Sequence, residues 1–139
     1  MSHNVTAQLR VGLTGEQQTH VEPDDTALRW GSGGVEVLST PQLVALLESV
    51  ALSIVDPLLP DGWITVGTRV DIQHLSATPV GMSVRARAVL TAIQERHLTF
   101  EVTAHDRAGI IARGTHERVA VNRRSFTERA TKKLDAGNT

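Results

Sequence analysis

A chain of 139 residues with a formal net charge of −1 is long enough for one domain with a real core, and it carries no bulk attraction toward nucleic acid or an anionic membrane. The absence of cysteine removes disulfides, thiolate metal sites and thiol nucleophiles together. Its aromatic residues are Trp30, Trp63, Phe100 and Phe126, too few for the stacking platforms of single-strand binders.

Residues 1–10 carry little signal and hold no apolar run of signal-peptide length. No stretch reads as approaching the ~18 apolar residues of a membrane span. A cytoplasmic chain with a single domain over 1–139 is expected. Thr14–Val21 alternates weakly and predicts a first strand, broken by Glu22-Pro23-Asp24-Asp25. Gly31-Ser32-Gly33-Gly34 reads as a surface or lid loop. It is no phosphate loop, because no Gly-Lys-Ser/Thr follows. It is no nucleophile elbow, because Ser32 is not flanked as Gly-x-Ser-x-Gly.

The stretch Pro41–Val55 predicts one helix ~22 Å long. Pro41 suits the first helical position, and Thr40, held extended before a proline, suits the N-cap. Asp56-Pro57 ends the run. The helix is apolar nearly all round and is therefore expected to be buried. It contains one charge, Glu48, which is costly in such a place unless it is paired or used.

After the turn Leu58–Gly62 the period changes from 3.6 to 2. Over 63–74 the even positions Ile64, Val66, Thr68, Val70, Ile72 and His74 are expected inward. The odd positions Trp63, Thr65, Gly67, Arg69, Asp71 and Gln73 are expected outward. Thr78–Gly81 turns the chain. Met82, Val84, Ala86, Ala88, Leu90 and Ala92 form the next inward row. Leu98, Phe100, Val102 and Ala104 form a third. Asp106–Gly109 closes a hairpin. A last strand runs from Ile110 to Val121, its facing obscured because Ile110 and Ile111 compete for the interior. Ser125-Phe126-Thr127-Glu128 is a capping-box pattern for a short helix. The basic residues Arg123, Arg124, Arg129, Lys132 and Lys133 gather there, as a solvated end or as a contact to phosphates. The order of elements predicts a two-layer α+β domain, an antiparallel sheet of about five strands wrapped around one long helix.

Glu48 and His74 are the polar groups that the pattern drives inward. Each alone has a structural explanation: a satisfied core histidine, a glutamate paired with an arginine. Thr40 alone is a good cap. Together they are the equipment of acyl transfer. Glu serves as a general base, His moves protons near neutral pH, and a Thr hydroxyl sits where helix amides favour developing negative charge.

Thr40, then Glu48, then His74 ahead of Ala77-Thr78-Pro79-Val80-Gly81 resemble the catalytic set of the hotdog-fold acyl-CoA thioesterases, in the branch similar to fluoroacetyl-CoA thioesterase. Ala104-His105-Asp106 and Gly114-Thr115-His116-Glu117-Arg118 resemble strand motifs of that branch. The likeness covers about residues 35–125. It implies a hotdog fold, hydrolysis of an acyl-CoA thioester and a homodimer at least. It also implies substrate contacts at Gly67, Gly114 and Arg118, no metal, and no cofactor beyond the coenzyme A of the substrate. A pocket for a very small acyl group should be closed by bulky side chains, and Gly31–Gly34 offers none.

Thr40 and Glu48 are eight residues apart, ~12 Å along a straight helix. That is too far for both to reach one carbonyl. Either the first turn is not helical, or Thr40 of one subunit meets Glu48 of another across a two-fold axis. The composite site is the expectation. Two routes fit it: Glu48 activates water, or Thr40 attacks with His74 as its base. An enoyl-CoA hydratase would need an Asp–His pair by the helix start, which is missing between Gly31 and the helix. A non-catalytic acyl-CoA-binding module is the other alternative. Metal chemistry is disfavoured because His105-Asp106 and His116-Glu117 are neighbours on strands and point apart.

Overall fold

The computed structural model describes residues 4–136. Its strands are β1 (Thr14–His20), β2 (Trp63–His74), β3 (Ser83–Gln94), β4 (His97–Asp106) and β5 (Gly109–Asn122). Its helices are α1 (Ala27–Trp30), α2 (Thr40–Val55) and α3 (Arg123–Thr131). All neighbouring strands pair antiparallel in one sheet of order β1-β3-β4-β5-β2. The hotdog arrangement is therefore present: one sheet curls about one long helix. Leu43, Leu47, Val50, Ala51 and Val55 of α2 pack into a core with Val84, Ala86, Ala88, Leu90, Leu98, Phe100, Val102, Ala104, Ile111 and Ala112. The alanines in the strand rows leave room for the helix, and each buried leucine or valine contributes about 1.5–3 kcal/mol.

Several expectations are corrected. The helix is not buried all round in the single chain. Pro41, Ala45 and Leu52 lie exposed, with half-buried Glu48 among them. These positions recur along one helical stripe, the side the sheet does not cover. Extended by its 3-10 turn, Thr40–Leu58 is also long and apolar enough, by length and composition alone, to cross a membrane. The sheet packed on it makes it the core helix of this domain.

The parity of β2 is not uniform. Gly67 pairs with Arg118 and Arg69 with Glu117, so Thr68 is an extra, unpaired residue. This β-bulge switches the alternation. Thr65 and Gly67 face α2 before it, and Ile72 and His74 face α2 after it. Ile64 and Val66 turn to the opposite face with their cross-strand partners Val121 and Val119. A second register shift between Leu90 and Ala92 leaves Ala92 exposed and brings Ile93 against the core.

At the N-terminus, Val5, Thr6 and Leu9 are buried, and the Thr6 hydroxyl donates to the Glu95 carbonyl. The terminal helix starts before the expected box. Asn122 is its cap, its side chain accepting from the Ser125 N–H at 3.0 Å.

Candidate functional site

The start of α2 is capped by Ser39, not Thr40. Ser39 has extended angles, and its hydroxyl accepts the Gln42 N–H at 3.2 Å. Thr40 is the first helical residue and Pro41 the second. The Thr40 hydroxyl, relieved of capping, lies 2.8 Å from His74 Nδ1 at the end of β2. The Leu38 N–H donates to the Thr78 carbonyl at 2.8 Å, tying the segment before α2 to the one after β2, and the Leu75 N–H donates to the Ile111 carbonyl at 2.7 Å, fixing the end of β2 to β5. Burial pushes the His74 imidazole below its ordinary value, against a smaller opposite pull from the Ser76 backbone. The ring is therefore neutral near pH 7, able to accept the hydroxyl proton at Nδ1 with its own proton at Nε2. That Nε2 is buried and has no hydrogen-bond partner among the described residues.

Glu48 stands two turns further along α2, with its side chain 38% exposed. Its carboxylate rests against Gly67. A Cβ at Gly67 would lie 2.6 Å from Glu48 Oε2, so only a residue without a side chain lets the acid approach β2 this closely. Arg118 faces it from β5, Nη1 to Oε2 at 3.6 Å. The guanidinium is fixed elsewhere by Thr65, Nε to Oγ1 at 2.7 Å and Nη2 to the carbonyl at 2.9 Å. The Thr65 hydroxyl in turn donates to Asp56 at 2.5 Å. Burial lowers Arg118 from its ordinary value while Asp56 and Glu48 raise it, and it stays a cation.

The candidate residues thus fall into two groups. Thr40 and His74 meet. Glu48 lies with Gly67 and Arg118, away from them. Gly114 joins neither group. It sits between Ile72 and Val102 in the sheet, where a Cβ would run into the Asp71 carbonyl and Ile72 Cα. Its lack of a side chain lets β2 and β5 approach. His116, 1% exposed beside Arg118, belongs to the Glu48 group and was not among the candidates. Its parity with Ala112 and Arg118 was the available signal, hidden by the competing Ile110 and Ile111. The basic tail lines a cleft of about 830 Å³ with Arg123, Arg124 and Lys132, and that cleft touches neither group.

A five-stranded antiparallel sheet curled around one helix, with a Thr–His pair at the helix start, defines a protein of the hotdog thioesterase class. Residues 21–124 match the FlK family of fluoroacetyl-CoA-specific thioesterases. The fluoroacetyl-CoA thioesterase of Streptantibioticus cattleyicolor is 34% identical over 102 residues, 73% of each chain. A solved structure of the fluoroacetyl-CoA thioesterase FlK superposes with a TM-score of 0.84 at 30% identity, covering 90% of this chain and 97% of that one. A hot-dog-like protein from Thermanaerovibrio acidaminovorans gives 0.84 at 25% identity, over 93% and 94%. The chain belongs to the fluoroacetyl-CoA-specific thioesterase family.

Proposed function

We propose that this acyl-CoA thioesterase works at a site shared by two subunits, with Thr40 and His74 from one and Glu48, Gly67 and Arg118 from the other. The observation that carries the reading is the 2.8 Å contact between Thr40 Oγ1 and His74 Nδ1 within one chain, with Glu48 left two turns away. A second copy is supported by two further features. β2 is a 12-residue edge strand with one side unpaired among the described residues. A long open edge invites pairing. Beside it lie the exposed apolar residues of α2 and Val70, 42% exposed. Antiparallel pairing of two β2 edges brings the Gly67 region of one subunit toward the His74 end of the other.

In the reaction, the thioester carbonyl sits at the N-terminus of α2, where the helix dipole favours the oxyanion. Thr40 Oγ attacks the carbonyl carbon as His74 Nδ1 takes its proton. The tetrahedral intermediate expels coenzyme A as a thiolate, which takes that proton from His74. Water, deprotonated by Glu48 of the other subunit, then cleaves the acyl-threonine ester. The proton passes to the departing Thr40 alkoxide, and the carboxylic acid leaves. A second reading has Glu48 activate water directly on the thioester; the open side of its carboxylate favours it. An acyl adduct on Thr40, trapped by mass spectrometry, separates the two routes. The open Gly31–Gly34 segment, exposed throughout, supports a wider acyl range than a pocket closed by bulky residues would take.

Mixing two inactive variants tests the shared site. Thr40→Ala and Glu48→Gln, unfolded and refolded together, are expected to regain about a quarter of wild-type CoA release, because half the dimers are mixed and each carries one intact site. No recovery in dimers verified as mixed would place all three residues in one subunit's site and remove the proposal.

A further inference from the structure

His116 takes no part in the reaction above, yet its two ring nitrogens meet groups of fixed character. Nδ1 lies 2.8 Å from the Arg69 carbonyl, which can only accept. Nε2 lies 3.1 Å from Arg118 Nη1, which can only donate. The imidazole is therefore neutral, with its proton at Nδ1 and a bare lone pair at Nε2. Burial works in the same direction, lowering the ring from its ordinary value, and the Arg118 charge lowers it further. The Arg69 carbonyl and the carboxylates of Glu48 and Glu117 act the other way. Phe100 of β4 stacks on the ring with centroids 6.2 Å apart and fixes its plane.

Arg118 has one nitrogen left after Thr65 engages Nε and Nη2. That nitrogen, Nη1, is nearer to His116 Nε2 at 3.1 Å than to Glu48 Oε2 at 3.6 Å. We propose that His116 is a positioning residue: its Nε2 lone pair holds Arg118 Nη1 back from a full ion pair with Glu48, leaving that carboxylate free to act as base. The inference rests on the role given to Glu48 above.

Three variants and one spectrum test it. His116→Leu removes the acceptor, so Arg118 closes on Glu48. The expected result is kcat lower by about tenfold, KM within about twofold, and the acidic limb of kcat/KM moved to lower pH. His116→Gln, whose amide oxygen can accept near the Nε2 position, is expected to restore most of kcat and the original limb. A wild-type kcat and limb in His116→Leu, or equal impairment in His116→Gln, would overturn the proposal. Independently of activity, the ¹⁵N shifts of His116 in the wild-type enzyme are expected to report the neutral Nδ1–H form across about pH 6–8. An Nε2–H or protonated ring would overturn it, even if His116→Leu does not fold. Glu48→Gln keeps the two readings apart. Full turnover in that variant removes the role of Glu48 itself. Lost turnover there beside an unimpaired His116→Leu removes only the positioning role.

Discussion

Thr40 and Ser39 are adjacent hydroxyl residues with different work to do. Ser39 caps α2, and Thr40 is left to face His74. Ser39→Ala is expected to cost about 1 kcal/mol of stability in a urea titration. Thr40→Val should leave the urea midpoint nearly unchanged and reduce CoA release by at least about a hundredfold. Gly67 offers a similar contrast. A methyl group there meets the far end of a flexible glutamate rather than backbone. Gly67→Ala should therefore shift melting little while displacing the Glu48 carboxylate, lowering kcat by about tenfold or more. At this scale the sequence was partly legible. Glu48 and His74 stood out because polar groups interrupted apolar rows, and Thr40 because it precedes Pro41 at a helix start. Which hydroxyl capped the helix did not, since a serine and a threonine before a proline offer the same chemistry.

Elements were legible where their period was unbroken. β4 alternates without interruption, and its inward row of Leu98, Phe100, Val102 and Ala104 is the one expected. α2 was evident from its apolar length and the prolines near both ends. β2 was readable in extent but not in facing, because a bulge has no compositional mark and reverses the alternation beyond it. His116 was lost for a related reason: two adjacent isoleucines at the start of β5 left its phase undetermined. Core substitutions on α2 should behave as the packing dictates. Leu47→Ala, at a position 1% exposed, is expected to cost about 2–5 kcal/mol in a denaturant titration.

At the scale of the whole molecule, two histidines, His74 half-buried and His116 buried, set a pH dependence. His74 and His116 both lie below their ordinary value in the folded chain. Below about pH 6.5 the unfolded chain binds protons that the folded one refuses, so stability falls as pH drops. It is fully present above that value and levels off once both folded histidines are protonated. Urea midpoints measured from about pH 8 down to 5 should decline, and His116→Gln should reduce the decline. The proposed assembly has its own check. Val70→Lys on the exposed part of β2 is expected to yield monomers in sedimentation and to lose CoA release with them. A second copy leaves little trace in one sequence, because a surface meant for a partner and a surface meant for the core are written with the same apolar residues. The exposed stripe of α2 was for that reason read as buried.

Thr68 gives β2 one residue more than its ladder with β5 pairs. Gly67 and His74 are separated by seven positions, and strict alternation would send them to opposite faces. One surplus residue lets both look at the same helix. The strand is therefore tolerant both of what stands at position 68 and of its removal, since Gly67 and Arg69 already pair with consecutive residues of β5. Thr68→Val and deletion of Thr68 should both leave CoA release nearly intact, because without the surplus residue Gly67 and His74 stand six positions apart and plain alternation keeps the bed of Glu48 and the partner of Thr40 on one face. What the catalytic face depends on is the register of the ladder, not the number of residues that spans it.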